Sequence, residues 1–119
     1  MEVELDRKSF QDKLVNKDKM MILKFGAPWC GPCKRVEPFL SIWKDQIANN
    51  NLPIELLLVD VDESFDVFAL LRQKKMVTSI PAILAWKKES KEVYPDTSVV
   101  GTDEEELNHF FNWCKSNCT

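Results

Sequence analysis

Two short apolar runs separated by one long amphipathic segment constrain the fold of this chain most. The runs cover Met20–Phe25, which is apolar except for Lys24, and Ile54–Asp60. Runs of this length between polar segments are typical of buried strands. The segment from about Cys33 to Ala48 repeats apolar residues at helical spacing and is predicted to be a helix. This strand–helix–strand alternation implies parallel strand pairing.

The remaining segments extend the alternation into a mixed sheet, with helix starts indicated by capping residues. The further predicted elements are a weak strand at Glu2–Leu5, a helix after Asp6, a helix at about Ser64–Gln73, a strand at Ala82–Trp86, an edge strand near Val93–Tyr94 and a last helix marked by Thr102 and Glu105. The hairpin after Ala82 implies antiparallel pairing. The predicted fold class is therefore α/β, with a mixed central sheet of four to five strands and helices on both faces.

Length and composition limit the classes of function. The chain has 119 residues, so residues 1–119 are expected to form a single domain. Its net charge of −3 argues against a nucleic-acid-binding protein, which would carry a basic excess. No apolar run approaches the ~18 residues that span a membrane, and the charged first residues show no secretory signal. A cytoplasmic, reducing location is expected, where a close cysteine pair indicates redox or metal chemistry.

The strongest chemical motif is Cys30-Gly31-Pro32-Cys33, which stands between a buried strand and a helix. Gly31 is expected to allow a tight turn, and Pro32 suits the first helical turn, where its missing N–H costs nothing. Unpaired N–H groups at a helix start favour the thiolate form of Cys30, which is expected to attack a target disulfide. Cys33 is then expected to attack the mixed disulfide and release the reduced target.

Two other interpretations of the pair are a zinc half-site and two inert thiols. A structural zinc site needs four ligands. The further candidates are His109, Cys114 and Cys118, which include no second short cysteine pair. Redox chemistry is therefore favoured over both alternatives, and no metal is expected.

The run from Trp29 to Lys34, its strand–helix context and the later Ile80-Pro81 segment resemble the thioredoxin family. The resemblance covers the chain from about Arg7 to Trp113. It implies a thioredoxin fold and a protein-disulfide reductase that exchanges its dithiol with protein disulfides. It also implies regeneration by a flavin-containing, NADPH-dependent thioredoxin reductase, with no bound cofactor and a monomeric state.

The same resemblance assigns further site residues. Pro81 matches a cis-proline beside the cysteine pair, and Ile80 before it is expected to offer backbone groups to an extended substrate. Trp29 is expected to shield the pair and to provide an apolar docking surface. Gly101 matches a glycine at the substrate-facing rim, where a missing side chain lets a peptide approach. The alternative interpretations are that Pro81 is an ordinary loop proline, that Trp29 only packs in the core and that Gly101 is a plain turn glycine.

Lys24 departs from the family pattern, in which a buried Asp associated with proton transfer stands six residues before the first cysteine. The usual lysine partner of that Asp falls at Leu58 here. A charged Lys24 would stabilise nearby thiolate and make the protein less reducing than a typical thioredoxin. A neutral Lys24 would instead accept a proton, and a solvent-facing one would change little. Gly26 and Ala82, where Trp and Thr are common, are expected to open space near the site.

Cys114 and Cys118 lie four residues apart in the last predicted helix. Cys114 falls on the buried stripe and is expected in the core, whereas Cys118 is expected to be exposed. A disulfide between them needs fraying of the helix, so a regulatory or intermolecular bridge is the alternative. Two other functions stay open for the chain: a disulfide isomerase or oxidase, which Lys24 favours, and a thioredoxin-like binding subunit.

Overall fold

The computed structural model describes residues 2–119, and its elements follow the predicted order. The elements are β1 (Glu2–Val3), α1 (Arg7–Asn16), β2 (Met20–Gly26), α2 (Gly31–Asn49), β3 (Ile54–Asp60), α3 (Phe65–Gln73), β4 (Ala82–Trp86), β5 (Thr97–Val100) and α4 (Glu104–Asn117). The strands form one sheet in the order β1-β3-β2-β4-β5. β1, β3 and β2 pair in parallel, and β4 pairs antiparallel with β2 and β5. The predicted mixed sheet is confirmed.

The alternation of side chains along β2 divides the core into two layers. The odd-numbered residues from Met21 to Phe25 point to one face of the sheet, where α1 and α3 cover it. The even-numbered residues from Met20 to Gly26 belong to the other face, where α2 and α4 pack. Helices therefore cover both faces, and Lys24 shares a face with the helix that carries the cysteine motif.

The second layer is built around stacked aromatic rings. Trp43 of α2 stacks on Phe111 of α4, with ring centroids 4.8 Å apart. Cys114 is buried in the same cluster, as predicted, but so is Cys118, which is only 5% exposed. The prediction of an exposed Cys118 is wrong because α4 continues to Asn117. A residue four positions after Cys114 then returns to the same face of the helix.

Two helices begin at residues other than those predicted, for reasons of local hydrogen bonding. α2 begins at Gly31 rather than near Cys33, with Cys30 as its N-cap. α4 begins after Asp103 rather than Thr102, because the Asp103 carboxylate accepts the backbone N–H of Glu106 at 3.0 Å. An aspartate at this position satisfies an N–H group that the first helical turn leaves unpaired.

The edge strand of the hairpin lies at Thr97–Val100, so the prediction of a strand near Val93–Tyr94 is wrong. Segment 87–96 instead forms a loop whose polar groups are paired locally. The indole N–H of Trp86 donates to the Val93 carbonyl at 3.1 Å, and the backbone N–H of Lys87 donates to the Asp96 carboxylate at 2.7 Å. These side-chain contacts compete with strand pairing in this segment. β5 therefore begins only after the loop, at Thr97.

Candidate active site

One end of the sheet brings together the segments that the sequence singled out. β2 ends at Gly26, and β4 begins directly after Pro81. Because Phe25 pairs with Ala82, these two strand ends lie side by side. Gly101 follows β5, and its N–H donates to the Pro81 carbonyl at 2.9 Å. Since α2 begins shortly after β2 ends, the cysteine motif lies at this same end of the sheet.

The two cysteines of the motif form a disulfide with their Cα atoms 5.3 Å apart. Cys30 is the N-cap of α2, and its Sγ accepts the backbone N–H of Cys33 at 3.2 Å. Both cysteines are buried, and Cys30, at 5% exposure against 2% for Cys33, is the slightly more exposed residue of the pair. A helix N-terminus directs N–H dipoles at this sulfur and favours negative charge there once the disulfide is reduced.

Gly31 and Pro32 occupy the first two positions of α2. Pro32 fits there because the first helical turn has no carbonyl partner for its missing N–H. Gly31 does not have a positive φ, and a Cβ placed on it would meet no heavy atom within 4 Å. Gly31 therefore needs no backbone conformation that favours glycine, and the turn to which it belongs is the first turn of α2.

Trp29 stands directly before the motif and is 68% exposed. Its indole N–H donates to the Asp62 carboxylate at 2.7 Å, which fixes the ring beside the turn that follows β3. Asp60 in turn accepts the backbone N–H of Asp62 at 2.8 Å. Sequence reasoning missed both carboxylates. The available signal was their position: Asp60 ends β3 and Asp62 follows it, and because β3 is parallel to β2, both lie near the end of β2.

The Ile80–Pro81 peptide bond is cis, as predicted. Ile80 is half-buried and packs against the layer formed with α1 and α3. Gly101 has a φ of 101°, which lies in the region that favours glycine. A Cβ on Gly101 would meet no heavy atom within 4 Å. Its backbone conformation alone is therefore a sufficient reason for glycine at this position.

Lys24 is half-buried and lines a cavity of about 610 Å³ that also reaches Cys33. Burial lowers the pKa of Lys24, because the charged amine loses water, and the carboxylates of Glu37 and Glu2 oppose that shift. Glu37 is one helical turn beyond Cys33 in α2, at a spacing that puts both on one face. An amine and Cys33 therefore share one polar cavity behind the disulfide.

Two further findings concern residues 2–119. Within this range, no group of three or more His, Cys, Asp or Glu side chains is arranged to hold a metal ion. Across the same described residues, no helix combines the length and apolar character needed to cross a membrane. His109 is exposed on α4.

Known proteins are similar to this chain in sequence and in fold. The thioredoxin family model matches residues 2–113. Thioredoxin-1 of Saccharomyces cerevisiae is 34% identical over 92 residues, which cover 77% of this chain and 78% of that protein. Mitochondrial thioredoxin of Bos taurus is 31% identical over 105 residues, which cover 88% of this chain and 57% of that protein. The structure of Trichomonas vaginalis thioredoxin superposes with a TM-score of 0.70 at 25% identity, covering 97% of this chain and 96% of that one.

These similarities agree with the geometry of the site. A cysteine pair at a helix N-terminus, with a buried second sulfur and a neighbouring cis-proline, is suited to exchange between a dithiol and a disulfide. The chain therefore belongs to the thioredoxin family, and it is a thiol–disulfide oxidoreductase that reduces protein disulfides through Cys30 and Cys33.

Proposed function

We propose that Cys30 is the attacking cysteine and Cys33 the resolving cysteine. The Cys30 thiolate attacks one sulfur of a protein disulfide, whose S–S bond breaks to leave a mixed disulfide and one free target thiolate. The Cys33 thiolate then attacks Cys30 Sγ, which forms the Cys30–Cys33 disulfide and releases the second target thiolate. Two electrons pass to the target, and the two thiol protons of the pair reach the target thiolates through solvent.

The observation that carries this assignment is the place of Cys30 at the N-cap of α2. Its sulfur already accepts a backbone N–H at 3.2 Å and is the less buried of the two. A thiolate at this position gains from the helix dipole, whereas Cys33 is reached by a target only after Cys30 has reacted.

A docking role for the surface around the pair follows from exposure and chemistry. Trp29 offers a large apolar ring to a target, and Ile80, Pro81 and Gly101 bring backbone groups to the same sheet end. An extended target segment would pair with this backbone as an added strand. Gly31 and Pro32 would modulate the reaction by shaping the first turn of α2.

Regeneration of the dithiol needs an electron donor, for which we propose a flavin-containing thioredoxin reductase that uses NADPH. The chain itself would hold no cofactor, because the exchanged electrons reside in the cysteine pair. We propose a cytoplasmic, monomeric protein, and family membership supports the donor. Because the similar bovine protein is mitochondrial, localisation of the tagged protein by fractionation is the direct check.

The test of the proposed function is reduction of insulin disulfides with NADPH and a thioredoxin reductase. The wild-type protein should accelerate NADPH oxidation, and Cys30→Ser should reduce the rate to that of the buffer control because the attacking sulfur is lost. Cys118→Ser is the matched control, since it removes a thiol of similar exposure away from the site and should retain activity. Equal activity of Cys30→Ser and wild type would contradict the assignment.

Lys24 supports a second candidate function within redox chemistry, that of a disulfide isomerase or oxidase. A charged amine in the cavity behind Cys33 would stabilise the dithiol, which makes the disulfide a stronger oxidant. Equilibration with glutathione separates the two functions. A reduction potential near roughly −270 mV supports a general reductant, whereas one toward roughly −200 mV supports the isomerase or oxidase.

A further inference from the structure

The space beside Cys33 is shaped by Gly26 at the end of β2. Gly26 and Lys24 are two residues apart in a strand, so their side-chain directions point to the same face, toward α2. Gly26 has no positive φ, and its carbonyl accepts the Val61 N–H at 2.9 Å in continuation of the sheet. Nothing in the backbone therefore requires glycine here, and the reason must lie in the space above its Cα.

That space is occupied by the end of the Lys24 side chain. A Cβ placed on Gly26 would lie 2.6 Å from Lys24 Nζ and 3.0 Å from Lys24 Cε. The same Cβ would lie 3.4 Å from Cys33 Sγ. Lys24 Nζ and Cys33 Sγ are thus no more than 6.0 Å apart, the sum of the two distances to that one point. The amine reaches Cys33 through the space that a side chain at position 26 would fill.

A charge at this separation acts on the protonation of a thiol. An opposite charge within about 4–6 Å favours the ionised form of a titratable group. The other charged groups of the cavity come from β1 and the residue after it, α2, β3 and the turn after β3, and are Glu2, Glu4, Glu37, Lys44, Asp60 and Glu63. Because most of these are acidic, they favour the protonated amine and disfavour a thiolate. The positive charge that β2 places beside Cys33 is that of Lys24.

We propose that Gly26 is a positioning residue for the dithiol, because its missing side chain leaves the place beside Cys33 in which the Lys24 ammonium stabilises the Cys33 thiolate. The inference rests on the proposed function, since it concerns the same cysteine pair. It goes beyond it by assigning a role to a residue outside the motif, and by making the effect of Lys24 conditional on Gly26.

The experiment measures the equilibrium between each protein and glutathione, with the oxidised fraction determined by thiol trapping and mass spectrometry. The variants are Gly26→Ala, Lys24→Met and the double variant. Lys44→Met is the matched control, because it removes the same charge from an exposed position on the same cavity. Gly26→Ser is a second probe of the occupied space. Circular dichroism confirms the fold of each variant, and alanine is compatible because the conflicting atoms are the mobile end of a lysine.

The expected results are specific. Lys24→Met and Gly26→Ala should each raise the equilibrium constant for oxidation by glutathione disulfide by about three- to tenfold, because the dithiol loses a stabilising charge. The double variant should match Lys24→Met, since the glycine acts only through the amine. Lys44→Met should stay within about twofold of wild type, because an exposed charge is screened.

Three results would overturn the inference. The first is an unchanged equilibrium constant in Gly26→Ala and Gly26→Ser while Lys24→Met shifts it. The second is an unchanged constant in Lys24→Met. The third is a full further shift on adding Gly26→Ala to Lys24→Met, which would mean that residue 26 acts on Cys33 directly. Insulin reduction by the wild-type protein is measured in parallel. Loss of that activity with an intact glutathione equilibrium would contradict the proposed function but not the inference.

Discussion

One cysteine pair lies at the N-terminus of a helix and the other at the C-terminus of a different helix, and only the first pair forms a disulfide. Cys30 and Cys33 begin α2, where a backbone N–H donates to sulfur. Cys114 and Cys118 end α4, where the Cys118 thiol donates to the Lys115 carbonyl at 3.4 Å. Sulfur is an acceptor at the first end and a donor at the second. The helix dipole therefore favours negative charge at the first end and disfavours it at the second.

Surface exposure does not explain this difference. Cys30 and Cys118 have the same exposure, 5%. The surroundings differ instead, because Cys114 packs in an apolar cluster with the aromatic rings of α2 and α4. Burial there raises the pKa of the Cys114 thiol to about 12, with a further contribution from Cys118. Spacing alone thus says little about a cysteine pair until the helix end and its packing are known.

The largest expected contrast between the pairs is in alkylation. At pH 8, a pKa of about 12 leaves only about one Cys114 in ten thousand as thiolate. After reduction, iodoacetamide should modify Cys30 first and leave Cys114 unmodified until the protein is unfolded. Peptide mass spectrometry with and without denaturant measures both. Comparable labelling of Cys30 and Cys114 in the native protein would contradict the predicted difference in reactivity between the two pairs.

A smaller effect is a pH dependence of stability that comes from Cys114. Its pKa is raised from 9.0 to about 12 on folding, so the unfolded chain loses this proton first and stability falls as pH rises from about 9 to about 12. At pH 10 the loss is about 1.4 kcal/mol relative to neutral pH. Urea unfolding of wild type and Cys114→Ala at both pH values isolates this contribution. An equal pH-dependent loss in the two proteins would assign it to other groups.

The smallest expected effect is at the N-cap of α4, where the capping atom is an oxygen and not a sulfur as at the N-cap of α2. Asp103→Ala should lower the free energy of unfolding by about 1 kcal/mol, because the Glu106 N–H loses its acceptor. Thr102→Ala is the control and should change it by less than about 0.5 kcal/mol. Thermal denaturation of both variants measures the difference. A larger loss of stability in Thr102→Ala than in Asp103→Ala would indicate that Thr102 is the N-cap, as the sequence predicts.

The sheet and most helices could be predicted from the sequence because their signals are local. Apolar runs identified β2, β3 and β4, and Asp6 was correctly predicted to cap α1, where its carboxylate accepts the Ser9 N–H. The start of α4 was off by one residue because Thr102 and Asp103 are both good caps. β5 was misplaced because the loop before it is closed by side-chain hydrogen bonds that leave no periodic pattern.

Some residues of the site could likewise be predicted from local sequence, whereas others depend on contacts between distant positions. The motif assigned Cys30 and Cys33, and the resemblance to the thioredoxin family assigned the cis bond before Pro81. The bond from Trp29 to Asp62 joins residues 33 positions apart, and no spacing rule connects them. The burial of Cys118 depends on the apolar cluster that α4 forms with α2 and the sheet. Such contacts depend on the packing of the whole fold, so the sequence indicates which residues share a helix face or a sheet edge but not which side chains meet.

The order of strands in the sheet has a consequence for association between copies of this protein. The most apolar strands, β2 and β4, lie inside the sheet, and the two edge strands among residues 2–119 are two and four residues long. Short edges offer little backbone on which a second copy could extend the sheet into a fibril. Within residues 2–119, the exposed ring of Trp29 is therefore not accompanied by a long edge strand on which aggregation could begin.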